Sequence, residues 1–256
     1  MYPYIIIGGS YLSVFNLCIA FGGLLSLLLF ERHARRIYPP ADVDMLLTIT
    51  GLTIPWGFFG GIVFDKCMHY HELMPEQKSL FVYTGMSFLG GLIFAAITFT
   101  ALYGILFRSF QKYWFHLNLI VPYVALGHMF GRIGCFFGGC CYGKPSNSIL
   151  AVQFPAESPA VRKYGMVPVL PTQLMEAGLL FLIFFIVRNR KQKVKIYGEI
   201  YTIGRFILEF FRGDDRGRIG NTILYSPSQV VCLLILLLIF LHTGYRIASQ
   251  KTGWKL

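Results

Sequence analysis

The feature that most constrains this chain is a series of seven long apolar segments, separated by polar or charged stretches. A helix needs about 20 mostly apolar residues to cross the hydrocarbon core of a bilayer. Only helices and closed barrels satisfy all their backbone hydrogen bonds there. The sequence therefore predicts an all-α, polytopic membrane protein with about seven transmembrane helices. The predicted segments are 12–30, 45–64, 80–107, 115–130, 170–187, 196–211 and 227–245.

The composition agrees with a membrane protein and argues against a nucleic-acid partner. Only 14% of the residues are charged, whereas soluble domains carry about 25%. The net charge of +11 is not gathered in one basic patch, because the basic residues concentrate at alternate junctions between apolar segments. Basic residues follow the first apolar segment rather than precede it, which predicts a retained first helix instead of a cleaved signal peptide.

The basic junctions also predict how the chain is oriented. Lys and Arg next to membrane spans favour the cytoplasmic side, and the junctions after segments one, three, five and seven are basic. We therefore expect a cytoplasmic C-terminus and, with an odd number of helices, an N-terminus outside. The residues concerned are Arg32, Arg35, Arg36, Arg108, Lys112, Arg188, Arg190, Lys191, Lys193, Lys195, Arg246, Lys251 and Lys255.

The sixth segment carries a row of polar side chains. Tyr201, Arg205, Glu209 and Arg212 are spaced by four, four and three residues, which places them on one face of a helix with about 3.6 residues per turn. Charges within apolar segments are costly and are functional candidates by default. This face can hold an anionic headgroup while Glu209 neutralises one arginine. The alternative is a structural arginine–glutamate pair near the membrane surface.

A second charged group closes the fourth segment. His128 and Arg132 are four residues apart and so share a helical face. The planar guanidinium of arginine matches phosphate in a two-pronged geometry. Gly131 and Gly134 would leave room for that approach, and Arg132 and Arg205 from different helices could then clamp one phosphate.

Two further features each allow two interpretations. Glu176, just inside the fifth segment, is either a functional base or an acid favoured at a helix start by the helix dipole. The pair Gly90-Gly91 within the third segment either allows close packing of helices or lets the backbone approach a ligand.

Three of the six cysteines, Cys135, Cys140 and Cys141, cluster after the fourth segment. With His128 they could form a Cys3His zinc set, although their spacing lacks the usual paired pattern. A disulfide on an oxidising outer face is a second interpretation, joining Cys135 to Cys140 or Cys141. Packing in a tight glycine-rich turn is a third, and a cysteine carrying a transient lipid is a fourth. The sequence predicts no resident metal or cofactor.

Four sequence blocks, in order along the chain, are similar to motifs of a known family. They read M-S-F-L-G-G-L at 86–92, G-R-I-G-C-F-F-G-G-C-C-Y-G at 131–143, P-T-Q-L-M-E at 171–176 and Y-T-I-G-R-F-I-L-E-F-F-R at 201–212. They resemble the signatures M-S-F-H-G-G-L, G-R-x-G-N-F-x-x-G-E-x-x-G, H-P-S-Q-L-Y-E and Y-x-x-x-R-x-x-x-E-F-x-R. These signatures are typical of the prolipoprotein diacylglyceryl transferases.

The resemblance implies a multi-pass enzyme of the bacterial inner membrane, with seven helices, an outward N-terminus and an outward-facing site. Such enzymes move the diacylglyceryl group of phosphatidylglycerol to the thiol of the lipobox cysteine of a prolipoprotein, and glycerol phosphate leaves. The expected partners are phosphatidylglycerol, membrane lipid and a prolipoprotein signal peptide. A single transferase domain would cover residues 1–256.

The matching positions imply roles for individual residues. Arg132 matches the essential signature arginine and Arg205 the second phosphate-binding arginine. Including the residues identified above, we expect the catalytic residues to be Arg132, Arg205, His128, Tyr201 and Glu209. We expect the substrate-binding residues to be Gly131, Gly134, Gly90, Gly91, Gln173, Glu176 and Arg212.

Three departures concern the half of the motif that would handle the thiol proton. The family's histidine before Gly-Gly is Leu89 here, its signature asparagine is Cys135 and its signature glutamate is Cys140. A thiol must become a thiolate to act as a nucleophile. Because imidazole titrates near neutrality, His128 is our first substitute for the missing base. Arg132 and Arg205 would stabilise the departing phosphate.

Other functions compete with this interpretation. A related transferase could use phosphatidylglycerol and another acceptor. A non-catalytic lipid-binding or transport protein is a second alternative, although the chain lacks the inverted repeats that transporters often show. A quinone-linked thiol oxidoreductase is a third, suggested by the cysteines. The transferase hypotheses need Arg132 and Arg205, whereas the redox hypothesis needs neither.

Overall fold

The computed structural model describes residues 4–68, 70, 74–79, 86–214 and 226–252. Eight α-helices and one β-hairpin make up most of this part of the chain. The hairpin joins β1 (Tyr4–Ile7) to β2 (Ser10–Ser13). The helices are α1 (Val14–Ala34), α2 (Pro40–Met68), α3 (Phe88–Phe107), α4 (Tyr113–Phe137), α5 (Pro159–Tyr164), α6 (Thr172–Arg188), α7 (Lys193–Glu209) and α8 (Pro227–Thr252).

Seven of these helices correspond to the seven predicted apolar segments, and α5 is an additional short helix in a loop. The all-α prediction is confirmed. By length and hydropathy, α1 and α4 and most of α2 and α3 can cross a membrane, and α8 contains a shorter apolar stretch. The prediction of a polytopic membrane protein is confirmed on these four spans.

The outer surfaces of these helices fit an apolar solvent. Phe21, Leu24 and Leu28 of α1 are each more than half exposed, as are Phe240 and Leu241 of α8. In water, apolar patches of this kind are rare on monomeric proteins and mark interaction surfaces. In a bilayer they are the residues that contact lipid chains.

The N-terminal hairpin is a feature that the sequence analysis did not predict. Gly8 and Gly9 form its two-residue loop with φ angles of 56° and 82°, a backbone conformation that favours glycine. Two strand-like runs separated by Gly-Gly are a known hairpin signal. The hairpin delays the start of α1 to Val14, two residues after the predicted start.

The chain folds as two compact units, one of them comprising Glu31–Leu117. In this unit α2 packs along α3 through glycines on both helices. A Cβ atom at Gly91 would lie 3.0 Å from the carbonyl oxygen of Gly57, and one at Gly90 would overlap the side chain of Phe64. This contact favours the close-packing interpretation of Gly90 and Gly91.

The second unit contains α1 up to Phe30 and everything from Asn118 onward. Its core lies where α4, α6 and α7 meet. Apolar residues of α4 and α6 form this core, and tyrosines of α7 pack against them. The buried members are Leu126, Met129, Ala177 and Leu180, with Tyr197 and Tyr201 against them. This core places the end of α4, the start of α6 and the end of α7 side by side.

The loop between α4 and α6 has a small core of its own, which includes Tyr142, Phe154 and Val169. Apart from α5, it has no regular helix or strand. That helix starts with a proline at its first turn, and the hydroxyl of Ser158 accepts a hydrogen bond from the Val161 amide at 3.4 Å, a common N-cap arrangement.

Three backbone segments cross closely at Gly143. Its amide donates to the carbonyl of Leu170 at 2.8 Å, and the next amide, of Lys144, donates to the carbonyl of Phe211 at 2.9 Å. A Cβ atom at Gly143 would lie 2.6 Å from the Leu170 oxygen and 2.9 Å from the Phe211 oxygen. Only glycine therefore allows the end of α7 to join the loop and the start of α6.

Replacing Gly143 should loosen this crossing. We expect Gly143→Ala to destabilise the protein by about 1–3 kcal/mol, since a methyl group forced against two carbonyls displaces backbone. The control is Gly178→Ala on the open face of α6, where a Cβ meets nothing within 4 Å. The midpoint of thermal unfolding in detergent should fall for the first variant and not for the second. Equal midpoints would show that the crossing tolerates a side chain.

Candidate functional site

A buried carboxylate lies at the meeting point of α4, α6 and α7. Glu176, in the first turns of α6, is only 1% exposed. Its Oε1 lies 3.2 Å from Nε of Arg132 and 3.9 Å from Nε of Arg205, and its Oε2 lies 3.9 Å from Nη1 of Arg212. Three guanidinium groups from two helices and the following turn therefore share one counter-ion.

Two further acids neutralise two of the arginines. Glu209 Oε2 lies 2.6 Å from Nη1 of Arg205, so the predicted pairing of Glu209 with an arginine is confirmed. Asp214 accepts two hydrogen bonds from Arg212, at 2.9 Å from Nε and 2.7 Å from Nη2. Two-pronged pairing of this kind fixes the plane of the guanidinium group. Arg212 itself follows the end of α7 and is held by a backbone bridge to Gly143.

Donor capacity remains in this cluster. Nη1 of Arg212 is buried and has no hydrogen-bond partner among the described residues. Arg132, Arg205 and Arg212 are each 6% exposed, which concentrates positive charge in a region of low dielectric. Buried charges of this kind are retained only with partners. Each arginine already has an acidic partner, so a further oxygen-bearing ligand would be bound by this remaining donor and not by an excess of positive charge.

Tyr201 and His128 orient the charged groups. The hydroxyl of Tyr201 donates to Oε1 of Glu176 at 2.8 Å. Nε2 of His128 accepts from Nε of Arg132 at 3.2 Å, and its ring meets that of Tyr201 edge-on with centroids 5.3 Å apart. An imidazole nitrogen that accepts a hydrogen bond is unprotonated. Nε2 of His128 is therefore unprotonated, the ring is neutral, and this hydrogen bond holds the guanidinium group of Arg132 in place. Its predicted role as a catalytic base stays a prediction.

The cysteine turn is tied to the start of α6. The hydroxyl of Thr172 donates to the carbonyl of Cys141 at 2.8 Å, and the side-chain amide of Gln173 donates to the carbonyl of Cys140 at 2.6 Å. Gln173 was predicted to bind substrate, and here it holds the protein backbone. Its Oε1 is buried and has no partner among the described residues.

The three cysteines form a compact thiol group. The sulfur atoms of Cys135, Cys140 and Cys141 all lie within 4.8 Å of one another, and none of the three is in a disulfide bond. Nη1 of Arg132 lies 4.0 Å from Sγ of Cys141. Hydrogen bonds with Cys135 and Cys141, together with burial, raise the pKa of Cys140 far above its usual range. Cys140 by itself is therefore protonated and a poor nucleophile.

The predicted glycine positions differ in their surroundings. A Cβ atom at Gly131 would meet nothing within 4 Å, so close packing does not require a glycine there. A Cβ atom at Gly134 would lie 3.1 Å from the carbonyl of Phe15 and 3.3 Å from Cβ of Cys18. Gly134 thus allows α1 to pack on α4, which favours a packing role there. The side chain of Leu89 lies outside the described residues.

The structure adds partners that the sequence analysis missed. Glu176 was predicted to be a base, a helix-start acid or a substrate-binding residue, whereas in the structure it is the counter-ion shared by three arginines. Its position inside an apolar segment was the available signal. Asp214 was not considered, although it follows Arg212 by two residues. Nothing in the sequence indicated that Thr172 holds the cysteine turn, because that contact spans 31 residues.

Comparison with known proteins gives a consistent result. The family model described as prolipoprotein diacylglyceryl transferase matches residues 4–244. The phosphatidylglycerol–prolipoprotein diacylglyceryl transferase 2 of Clostridium perfringens is 35% identical over 83% of this chain and 82% of its own length. An enzyme named phosphatidylglycerol–prolipoprotein diacylglyceryl transferase from Clostridium tetani is 38% identical over 52% and 55%. One of the same name from Dehalococcoides mccartyi is 30% identical over 86% and 85%.

Removing the charge of Glu176 should leave three arginines without their shared counter-ion. We expect Glu176→Gln to lower the free energy of unfolding by about 3 kcal/mol or more, the usual cost of breaking a buried ion pair from one side. If phosphatidylglycerol added to the detergent binds at these arginines, its phosphate should replace the missing charge and restore part of the loss.

The matched control is Glu199→Gln, which makes the same change on the neighbouring helix α7. Glu199 is 39% exposed and pairs with Lys195 at 3.8 Å, so its loss should cost less than about 1 kcal/mol. Thermal unfolding of both variants, with and without phosphatidylglycerol, provides the measurement. A Glu176→Gln protein as stable as the control would show that the arginines do not depend on this carboxylate.

Proposed function

This chain belongs to the prolipoprotein diacylglyceryl transferase family, and we propose that it moves the diacylglyceryl group of phosphatidylglycerol to the lipobox cysteine of prolipoproteins. The observation that carries the proposal is the convergence of Arg132 and Arg205 on a single oxygen of Glu176, at 3.2 and 3.9 Å. Two guanidinium groups that reach one carboxylate oxygen can also reach the oxygens of one phosphate.

The reaction is a substitution at a glycerol carbon. The thiolate of the acceptor attacks the carbon, a carbon–sulfur bond forms, and the carbon–oxygen bond to phosphate breaks. Glycerol phosphate leaves with the bonding electron pair, so its negative charge grows as the bond breaks. Preorganised donors at developing charge lower a barrier more than they stabilise the ground state. We assign this role to Arg132 and Arg205.

Arg212 supplies a third donor to the same group. Its bidentate pair with Asp214 and its backbone bridge to Gly143 hold the side chain in place, and its Nη1 has no hydrogen-bond partner among the described residues. It can therefore bind a phosphate oxygen without reorganisation. Tyr201 and Glu209 act through the arginines, because they contact Glu176 and Arg205.

We further propose seven transmembrane helices in the bacterial inner membrane, with the N-terminus outside and the C-terminus inside. Within the second unit, Arg132 near the end of α4, Glu176 at the start of α6 and Arg205 near the end of α7 lie at one end of the helices. The opposite ends carry Arg188 and Lys193. Since basic ends favour the cytoplasm, the site faces the outer side, where prolipoproteins emerge.

A related transferase with another acceptor is the second candidate. It is favoured by the replacement of the family's histidine, asparagine and glutamate by Leu89, Cys135 and Cys140. These changes alter the part that would handle the acceptor and leave Arg132 and Arg205 in place. The acceptor used in the assay therefore separates the two candidates.

Exchange of each arginine for lysine tests the phosphate clamp. Lysine keeps the charge but loses the planar fork, so Arg132→Lys and Arg205→Lys should each reduce transfer by about a hundredfold or more, the cost of losing one positioned donor. The assay measures thioether-linked acyl label on a lipobox peptide supplied with labelled phosphatidylglycerol. Exposed Arg36 provides the control, because Arg36→Lys should retain full transfer. Normal transfer by both site variants would refute the clamp.

The orientation can be tested with single added cysteines. Asn147 lies exposed in the loop between α4 and α6, and Asn189 lies exposed after α6. In a variant lacking the exposed Cys67 and the three cysteines of the turn, a membrane-impermeant maleimide should label Asn147→Cys on intact cells whose outer envelope has been removed. It should label Asn189→Cys only after lysis. The reverse pattern would invert the topology.

A further inference from the structure

We propose that Cys135, Cys140 and Cys141 bind a zinc-type ion whose fourth coordination position takes the acceptor's thiol. The inference rests on the proposed transfer to a cysteine thiol and deepens it by naming the group that activates that thiol. It concerns the part of the site in which this chain differs from its family's pattern.

The sulfur positions suit a tetrahedral ion. The three Sγ atoms lie within 4.8 Å of one another. Zinc–sulfur bonds of about 2.3 Å at tetrahedral angles place sulfurs about 3.8 Å apart. Displacements of less than about 1 Å for each sulfur would bring them to this spacing. A disulfide would require one pair to approach much more closely.

The backbone of the turn is built to hold this arrangement. Cys141 adopts a left-handed conformation with φ 60°, which costs a non-glycine residue about 1–3 kcal/mol and persists only where surrounding contacts enforce it. Those contacts are the hydrogen bonds from Thr172 to the Cys141 carbonyl and from Gln173 to the Cys140 carbonyl. The Cys140 amide also donates to the Cys135 carbonyl at 3.2 Å.

The surrounding charge favours a thiolate complex. Three thiolates and one divalent ion carry a net charge of −1, and Nη1 of Arg132 lies 4.0 Å from the nearest sulfur, Sγ of Cys141. The Cys141 thiol also interacts with Arg212. Guanidinium groups beside the sulfurs offset the cost of burying their negative charge.

Three cysteine ligands leave one position open, as catalytic zinc sites do. A thiol that coordinates such an ion is deprotonated outright, so no base is needed at position 89, where this chain has leucine. The acceptor thiol binds and releases its proton to water. Its sulfur then attacks the glycerol carbon, the carbon–sulfur bond forms, and glycerol phosphate leaves with the electron pair of the broken carbon–oxygen bond. No oxidant or reductant takes part.

Arg132 connects the two halves of the reaction. It contacts Glu176 in the arginine cluster and Cys141 in the thiol group. An acceptor sulfur held by the three cysteines therefore lies next to a phosphate held by Arg132, and the reacting carbon lies between them. Positioning both partners in this way is a large part of what an enzyme contributes to a two-substrate reaction.

Cobalt(II) provides the direct test, because its thiolate complexes absorb in the near ultraviolet and its tetrahedral complexes in the visible. Purified full-length protein titrated with cobalt should show thiolate-to-metal charge transfer that saturates at one ion per chain and disappears when zinc is added. Cys135→Ser, Cys140→Ser and Cys141→Ser should each lose this spectrum, whereas Cys67→Ser should retain it. A protein that gives no such spectrum, or whose cysteines are found as a disulfide, would overturn the site.

The fourth position is tested by adding the lipobox peptide to the cobalt protein. The peptide thiol should increase the charge-transfer absorption, and the same peptide with serine in place of its cysteine should not. An unchanged spectrum with the cysteine peptide would overturn acceptor binding at the ion.

Transfer activity separates this inference from the proposed function. A membrane-permeant chelator should reduce transfer by about a hundredfold, the scale of losing a general base, and zinc should restore it. Phosphatidylglycerol binding should survive in the cysteine variants, which shows that they are folded. Full transfer without the ion would overturn the inference and leave the function intact. A peptide-responsive cobalt site without any transfer would overturn the function instead.

Discussion

Glu176 is buried at the start of α6 with Arg132, Arg205 and Arg212 between 3.2 and 3.9 Å from its oxygens. Three guanidinium groups this close together repel one another strongly where water is excluded. The three arginines can therefore be buried this close together only because the carboxylate of Glu176 lies between them. Since each arginine comes from a different place in the sequence, the same carboxylate also determines how the ends of α4, α6 and α7 meet.

The cluster is charge-balanced before any substrate binds. The three arginines face Glu176, Glu209 and Asp214, so they remain buried without requiring an anion. In the proposed function, the affinity for a phosphodiester would therefore come from hydrogen-bond donors that are already held in place, and not from an excess of positive charge. Such preorganisation suits a reaction in which the charge on the leaving phosphate increases, because donors that need not move are most effective in the transition state.

Two of the three departures from the family pattern, at positions 135 and 140, lie together in space. Cys135 and Cys140 replace the signature asparagine and glutamate, and with Cys141 they form one thiol group beside Arg132. Arg132 and Arg205, the proposed phosphate ligands, match the family's signatures. Cys135 and Cys140, in the part proposed to handle the acceptor, do not. This chain is a membrane transferase of lipoprotein biosynthesis.

The sequence by itself determined the fold class and the seven helical segments, and it predicted most residues of the candidate site. Helical periodicity and the cost of charge in apolar segments are local properties, so Arg132, Arg205 and Glu209 could be identified from spacing alone. The hairpin at Gly8-Gly9 could also have been predicted, because two strand-like runs flank the glycine pair, but it was not. Only the tertiary structure decided which carboxylate the arginines share, that Thr172 and Gln173 hold the cysteine turn, and that Gly134 serves packing. These depend on contacts between residues 25 or more positions apart, and the apolar pattern of a helix shows which face is buried without showing what it is buried against.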